Sequence, residues 1–266
     1  MNKYEGIILD WAGTAIDYGC FAPLKVFIEI FTNKGVNITT EEARVPMGLP
    51  KIDHVRAICE MPRVKESWLQ IHGETPSEKN IQEMYEQFEE ILFEVLPEYT
   101  TPIPGVLETV QILRDKGYKI GSTTGYTREM MNIVVPAAKE KGYSPDFIVT
   151  PDEVKEGRPY PWMCYLNAME LGIYPMNKLL KVGDTTSDMK EGRNAGMYTV
   201  GVILGSSELG LAEHEMNELP KDLLLEKKSA VKERFLAAGA NEVIDSFSDL
   251  PNLLEKFEKQ PMVISK

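Results

Sequence analysis

Hydrophobic and polar positions along this chain fall into two regimes. From Tyr118 onward, short apolar runs alternate with amphipathic stretches: "YKIGSTTG", "TREMMNIVVPAAKEKG", "DFIVT", "PWMCYLNAMELG", "LLKVGD", "SDMKEGRNAG" and "YTVGVIL". The short runs read as strands, and the stretches between them carry helical spacing. Strands alternating with helices predict a parallel sheet covered on both faces, a Rossmann-like α/β core whose function sits at the carboxyl ends of the strands. "NEVIDS" and "FSDLPNLLEKFEK" read as a last strand and helix, whereas residues 207–238 are polar, helical in character and without an interpretable motif.

The apolar run Ile7-Ile8-Leu9 adds one more strand to that sheet. Between it and residue 98 the regime is helical, with no convincing strand. Phe21, Leu24, Phe27, Ile28 and Phe31 fall at helical spacing, and so do Ile81, Met84, Tyr85, Phe88, Ile91, Leu92 and Val95. Thr75-Pro76-Ser77-Glu78 is a start signal for the second helix, combining a cap residue, an early proline and a glutamate three residues after the cap. The pattern predicts a core domain formed by residues 1–18 and 98–266, split by a helical cap domain at residues 19–97. Apolar cap side chains such as Phe21, Phe27, Phe31, Phe88 and Phe93 suggest the interface of a homodimer.

Composition narrows the partners. The 266 residues, 43% hydrophobic and 26% charged, suffice for a sizeable core. A net charge of -12 argues against nucleic acid or an anionic membrane, either of which needs clustered lysine and arginine. No apolar run approaches the roughly 20 residues that span a bilayer. Cys20, Cys59 and Cys164 lack metal-like spacing, and no long apolar stretch opens the chain, so the expected compartment is the reducing cytoplasm.

Four pieces of the predicted sheet meet at its carboxyl edge. Asp10 follows the first strand in "LDWAGT", and Ser122-Thr123-Thr124-Gly125 follows the "YKIG" strand. Arg158 stands in "EGRPYPWM" at a helix entrance, and in "VGDTTSDMKEG" Asp184 ends a strand with Asp188 in the next turn. Carboxylates and a cation facing a hydroxyl-rich turn suit Mg²⁺-assisted phosphoryl transfer. Asp10 and Asp184 can share the metal while Arg158 neutralises phosphoryl oxygens, Thr124 adds a hydrogen bond and a free Asp10 oxygen attacks phosphorus. A carboxylate at a buried strand end is costly without a cation, which argues against purely structural roles for Asp10 and Asp184. Asp188 is also suited to its helix N-terminus, and Trp11, Met130, Met131, Trp162 and Cys164 read as packing.

In this order, "DWAGT", "IGSTTG", "GRP" and "VGDTTSD" resemble the haloacid dehalogenase superfamily over nearly the whole chain. The resemblance implies a helical cap inserted after the first motif, with Asp10 as nucleophile and Thr124 and Arg158 as phosphate ligands. It also implies Mg²⁺ held by Asp10, Asp184 and the backbone carbonyl of Ala12, with Asp188 in support. Ala12 departs from the superfamily's phosphatases, in which an aspartate two residues after the nucleophile protonates the leaving alkoxide. A chain without that acid should hydrolyse phosphate esters poorly. When the leaving atom is carbon no alkoxide forms, and the difficulty is a departing carbanion. An amine condensed with an aldehyde solves it, because the electrons of the breaking carbon–phosphorus bond flow into an iminium.

The cap contains a suitable amine. In "RVPMGLPKIDHVRAICEM", Gly48 and Pro50 force a turn, Lys51 opens a helix and His54 follows on the same face. The partial positive charge of a helix N-terminus disfavours the ammonium form and favours the free amine. This segment, together with "DYGCFAPL", "GSTTGYTREMM" and "GRPYPWMCY", resembles the phosphonate-cleaving members of the superfamily. The resemblance implies a Schiff base between Lys51 and a small phosphonate aldehyde, His54 in proton transfer, and Cys20, Met47 and Tyr126 lining the pocket. An acid at position 12 would salt-bridge the incoming lysine and hold it protonated, so alanine fits. The competing expectations are a Mg²⁺-dependent phosphatase or phosphomutase for a small phosphate ester, and a non-catalytic binder of a phosphorylated ligand. A hinged cap implies open and closed states, with Lys51 meeting Asp10 on closure.

Overall fold

In the computed structural model, which describes residues 3–259, six strands pair in parallel throughout. They are β1 (Gly6–Leu9), β2 (Lys119–Thr123), β3 (Phe147–Val149), β4 (Leu179–Gly183), β5 (Tyr198–Val202) and β6 (Glu242–Ile244), in the order β3-β2-β1-β4-β5-β6. β1 is central and buried along its whole length, as its unbroken apolar run requires of a strand covered on both faces. The chain winds outward from β1 in both directions. The crevice at the carboxyl end of such a sheet therefore opens beside β1, between β2 and β4. Leu9 pairs with both Ser122 and Val182, so the residues following the three strands emerge level with one another.

After β1 and before Leu96 the chain forms α1 (Phe21–Asn33), α2 (Thr40–Arg44), α3 (Lys51–Glu60), α4 (Pro62–His72) and α5 (Glu78–Val95). The core then adds α6 (Val106–Asp115), α7 (Arg128–Glu140), α8 (Trp162–Leu171), α9 (Thr186–Asn194), α10 (Glu213–Glu218), α11 (Lys221–Ala238) and α12 (Leu250–Lys259). α6 occupies a stretch that the sequence reading left unassigned, although Val106, Thr109, Val110 and Leu113 are its buried stripe at helical spacing. In the uninterpreted segment 207–238, α11 buries Val231, Phe235 and Ala238.

The phenylalanines expected on a dimer face point elsewhere. Phe27, Phe31 and Phe88 are fully buried, and Phe27 stacks on Phe88 at 4.4 Å between ring centres. The physical reason is that α1 and α5 pack against each other, so their aromatic stripes close the cap's own core. Phe21 and Phe93 are only partly buried and pack on that same core. Among the described residues four large exposed apolar side chains lie around α8, Tyr160, Trp162, Met169 and Tyr174, while others, such as Val45, Leu69 and Ile71, lie elsewhere. Met169 and Tyr174, 75% and 88% exposed, border an apolar hollow of about 340 Å³. Trp162, read from the sequence as packing, is thus half-exposed, with one edge against Tyr165.

The passage from β1 into α1 is held by its own chemistry. Asp17 and Cys20 both adopt left-handed backbone conformations, which non-glycine residues rarely take. The Asp17 carboxylate accepts hydrogen bonds from the backbone N–H groups of Phe21 and Ala22, each at 3.0 Å, and so caps α1.

Candidate active site

Three adjacent strand ends supply the floor of the site. Asp10 follows β1, and its carboxylate accepts a 2.6 Å hydrogen bond from the Arg158 guanidinium. Arg158 also reaches Asp188 at 3.1 Å and Glu191 at 3.0 Å, and both acids are fully buried. A second cation stands beneath it. Lys181, fully buried in β4, lies 2.8 Å from Asp188 and 3.3 Å from Glu191. The Thr123 hydroxyl joins the two cations, accepting at 2.9 Å from each and donating to Glu191 at 3.0 Å. Its hydrogen-bonding capacity is then full.

Charge compensation is uneven across the acids. Burial pushes the Asp188 carboxyl upward, but Arg158 and Lys181 outweigh it and hold the group below the usual carboxylate range. Asp10 is raised, first by burial and then by Asp188, with Arg158 and Lys181 opposing. Asp184 is raised further, because burial and the charges of Asp10 and Asp188 all disfavour its ionised form. Asp184 is anchored by the Thr14 hydroxyl at 3.0 Å and the Ser207 backbone N–H at 2.8 Å. Gly13 makes room for it, since a Cβ there would stand 2.2 Å from its Oδ2.

These acids fit a hard divalent cation. Oxygens of Asp10, Asp184 and Asp188 all lie within 4.8 Å of one another, and oxygen-only donors of this kind suit Mg²⁺. The repulsion that raises Asp10 and Asp184 is what such a cation would relieve. Asp188 is also committed to Lys181 and to capping α9, where it accepts from the Thr185 hydroxyl at 2.6 Å.

The roof comes from the cap. Lys51 is the first residue of α3 and is 6% exposed. Its Nζ lies 5.0 Å from the ring centre of Tyr126 and 5.8 Å from that of Phe27. Among the described residues no carboxylate forms an ion pair with it. Burial lowers its pKa, and Arg158 adds to the effect while Cys20, Asp10 and Asp184 oppose it. The turn before α3 rests on the core at Gly48, whose φ of +87° and contact space both require glycine, since a Cβ there would approach Thr185 Oγ1 to 2.5 Å.

Floor and roof enclose a cavity of about 20 Å³ lined by Asp10, Ala12, Cys20, Met47, Lys51, Thr124, Tyr126 and Arg158, among others. Burial raises the Cys20 thiol and the Tyr126 phenol well above their ordinary values, so both are neutral beside the amine. The Thr124 hydroxyl accepts from the Tyr126 N–H at 3.1 Å and keeps its own proton to donate. A wider cleft of about 390 Å³ shares Lys51, Gly125 and Arg158 with the chamber and opens toward solvent.

His54 sits behind Lys51 and does not line the chamber. Its ring stacks on Phe27 at 3.8 Å, and Nε2 lies 2.9 Å from the Ala43 carbonyl. A carbonyl only accepts, so Nε2 carries the proton and Nδ1 presents a lone pair, which is buried without a partner. Burial, then the charge of Lys51, hold the imidazole neutral, well below its usual range.

The sequence reading missed Lys181 and Glu191, and it gave Thr123 no role beyond its place in the hydroxyl-rich turn. The signal for Lys181 was a lysine inside a strand whose neighbours are all apolar, because a charge at such a position requires buried partners.

Residues 7–202 match the family of haloacid dehalogenase-like hydrolases. The phosphonoacetaldehyde hydrolases of Bacillus cytotoxicus and Bacillus anthracis are each 62% identical over 263 residues, covering 99% of this chain and all of the relative. Among solved structures, a phosphonoacetaldehyde hydrolase-like protein from Oleispira antarctica superposes with a TM-score of 0.92 at 38% identity, over 96% of this chain and 92% of that one. This chain is therefore a member of the haloacid dehalogenase-like hydrolases and, within them, of the phosphonoacetaldehyde hydrolase family.

Proposed function

We propose that this enzyme hydrolyses the carbon–phosphorus bond of phosphonoacetaldehyde to acetaldehyde and phosphate, through an imine on Lys51 and an acyl phosphate on Asp10. The observation that carries the reading is that a buried, unpaired lysine and a strand-end carboxylate line one chamber, with a methyl group at Ala12. The substrate class follows from the full-length similarity to phosphonoacetaldehyde hydrolases.

Lys51, as the free amine that burial favours, adds to the aldehyde and expels water, giving an iminium. Arg158 and Thr124 orient the phosphonate oxygens against Asp10. Asp10 attacks phosphorus; the carbon–phosphorus bond breaks, and its electron pair passes into the iminium as an enamine. Protonation at carbon and hydrolysis of the imine release acetaldehyde, while water at phosphorus releases phosphate and restores Asp10. His54, neutral with its Nδ1 lone pair free, relays protons for Lys51 and does not store them, because burial opposes its charged form. Asp10 and Asp184, with the Ala12 carbonyl and with Asp188 in support, would hold Mg²⁺, and the charge it would supply there neutralises phosphoryl oxygens. The thiol, phenol, thioether and methyl of Cys20, Tyr126, Met47 and Ala12 add no counter-charge beside Lys51, so the lowering by burial outweighs the opposing charges of Asp10 and Asp184. The enzyme works in the cytoplasm, consistent with three buried free cysteines, and as a homodimer whose apolar contact is supported by the exposed face of α8.

The test is product release from phosphonoacetaldehyde with Mg²⁺, run beside borohydride reduction during turnover. Equal release of acetaldehyde and phosphate, with a reduced adduct mapped by mass spectrometry to Lys51 and both signals lost in Lys51→Arg, is the expected result. Activity retained in Lys51→Arg, or turnover without an adduct, overturns the imine route.

A further inference from the structure

Arg44 closes α2 in the cap, and its side-chain hydrogen bonds leave the cap helices. Nη1 donates to the backbone carbonyl of Gly19, in the link from β1 into the cap, at 2.8 Å and to that of Ser207 at 3.1 Å. Nη2 donates to the carbonyl of Gly210 at 3.4 Å. The guanidinium also lies 5.0 Å above the Phe21 ring and forms no ion pair among the described residues. Nη1 also reaches the Ser207 hydroxyl at 3.5 Å, while Nε is buried without a partner among the described residues. A partly buried cation that faces carbonyls and a hydroxyl but no paired carboxylate is placed by geometry: its planar fork matches several acceptors at once.

The loop that receives it runs from Gly205 to Leu211 after β5, within the segment whose sequence carried no readable motif. The loop is tied to the link as well, through the Gly19 N–H and the Gly205 carbonyl at 2.7 Å. Its Ser207 N–H, on the same residue whose carbonyl Arg44 engages, donates to Asp184 Oδ2 at 2.8 Å. On the other side, the chain leaving Arg44 passes directly into Met47 and Gly48 against the core and on to Lys51.

We infer that Arg44 is a positioning residue that latches the cap shut and, through Ser207, orients the metal ligand Asp184 only when Lys51 is in the chamber. Arg44 touches neither substrate nor reacting atoms. It couples two events on opposite sides of the crevice, admission of the amine and completion of the acidic cluster. Such coupling is reciprocal: Mg²⁺ binding at the acids favours the shut cap as much as the shut cap favours Mg²⁺. The inference rests on the roles given above to Lys51 and the acids, but its test needs no turnover.

The experiment uses the full chain without substrate. The rate at which an amine-acylating reagent modifies Lys51 is followed by peptide mass spectrometry, and Mg²⁺ affinity is measured by calorimetry. Arg44→Gln is expected to speed Lys51 modification and weaken Mg²⁺ binding, each by a factor in the range of roughly 5 to 150 typical of coupled sites. Arg44→Lys, which keeps the charge and loses the fork, should fall between it and the wild type. Arg63→Gln is the comparison for a cap arginine of purely structural type, since its partners Glu42 and the Asn37 carbonyl belong to the cap. A folded Arg44→Gln with unchanged Lys51 labelling overturns the latch. Faster labelling with unchanged Mg²⁺ affinity overturns the coupling, and equal effects from Arg63→Gln reduce Arg44 to cap stability. If Arg44→Gln does not fold, Arg44→Lys decides by the same two readouts. Loss of the imine chemistry in wild type would leave both readouts intact, so failure of the functional reading is told apart from failure of the latch.

Discussion

Lys181 and Lys51 are both buried beside the same chamber, one beneath it in β4 and the other above it at the start of α3. Lys181 meets Asp188 and Glu191, whose charges overcome the cost of burial and raise its pKa. Lys51 faces the rings of Tyr126 and Phe27, and burial wins, lowering its pKa. Depth is common to both, so it cannot be what raises one pKa and lowers the other. The carboxylates within reach decide, and the fold supplies them on the floor and withholds them from the roof.

Removing the floor cation tests that account most severely. Lys181→Met leaves Asp188 and Glu191 short of a buried partner, and breaking such an arrangement costs about 3–5 kcal/mol. Calorimetry should show a large fall in Tm, partly recovered when Glu191→Gln is added. A single variant as stable as wild type would mean that the pairs do not sustain the charge. The converse experiment sets an acid in the chamber facing Lys51. Ala12→Asp should raise the Lys51 pKa by about 1–3 units, as an opposite charge nearby does. On the imine route proposed above the reactive form is the unprotonated amine, so the rising limb of kcat/KM against pH should move to higher pH and turnover at neutral pH should fall. An unmoved limb would separate Ala12 from the lysine's protonation.

An exposed pair gives the small end of the scale. The side-chain hydrogen bond from Arg63 is the main reason the Glu42 carboxyl is lowered to about 2, against an ordinary value of 4.5. A carboxyl lowered by folding contributes stability above its unfolded pKa and loses it as pH falls through the folded one. Glu42→Gln should therefore lower the urea midpoint slightly at pH 7, by under about 1 kcal/mol in stability, with the difference vanishing toward pH 2. A loss that persists in acid would point to packing.

How much of this was legible depended on whether a residue's partners are near in sequence or far. Asp10, Asp184 and Arg158 stand at strand ends and a helix entrance, and the alternation that reveals a parallel sheet also says that such ends converge. β1 to β6 follow from short apolar runs bounded by glycine and polar residues. Lys181 was harder, because its need for counter-charges shows only once β4 is known to be buried and α9 is known to lie against it. The cap phenylalanines show a different limit: helical spacing locates a stripe but not what covers it, and α5 covers that of α1. Arg44 ends "TEEAR", which reads as a solvated helix turn, since its carbonyl partners lie outside the helix, 25 residues away in Gly19 and more than a hundred away in Ser207 and Gly210. Cys20, Met47 and Tyr126 came from family resemblance, and no spacing rule would have gathered them.

The size of the closed chamber has a consequence for time. A water molecule needs roughly 10–15 Å³ of such space, so a cavity of about 20 Å³ has room for one, far short of a phosphonate and its aldehyde arm. To take in such a substrate the chamber must widen, and the broader cleft that shares Lys51 and Arg158 with it is the route of entry and exit. On the route proposed above, each turnover would contain two mechanical passages besides its bond changes, and the enamine and acyl phosphate would form between them. Under saturating substrate, the pace of such a catalyst is set by whichever is slower, chemistry or the hinge.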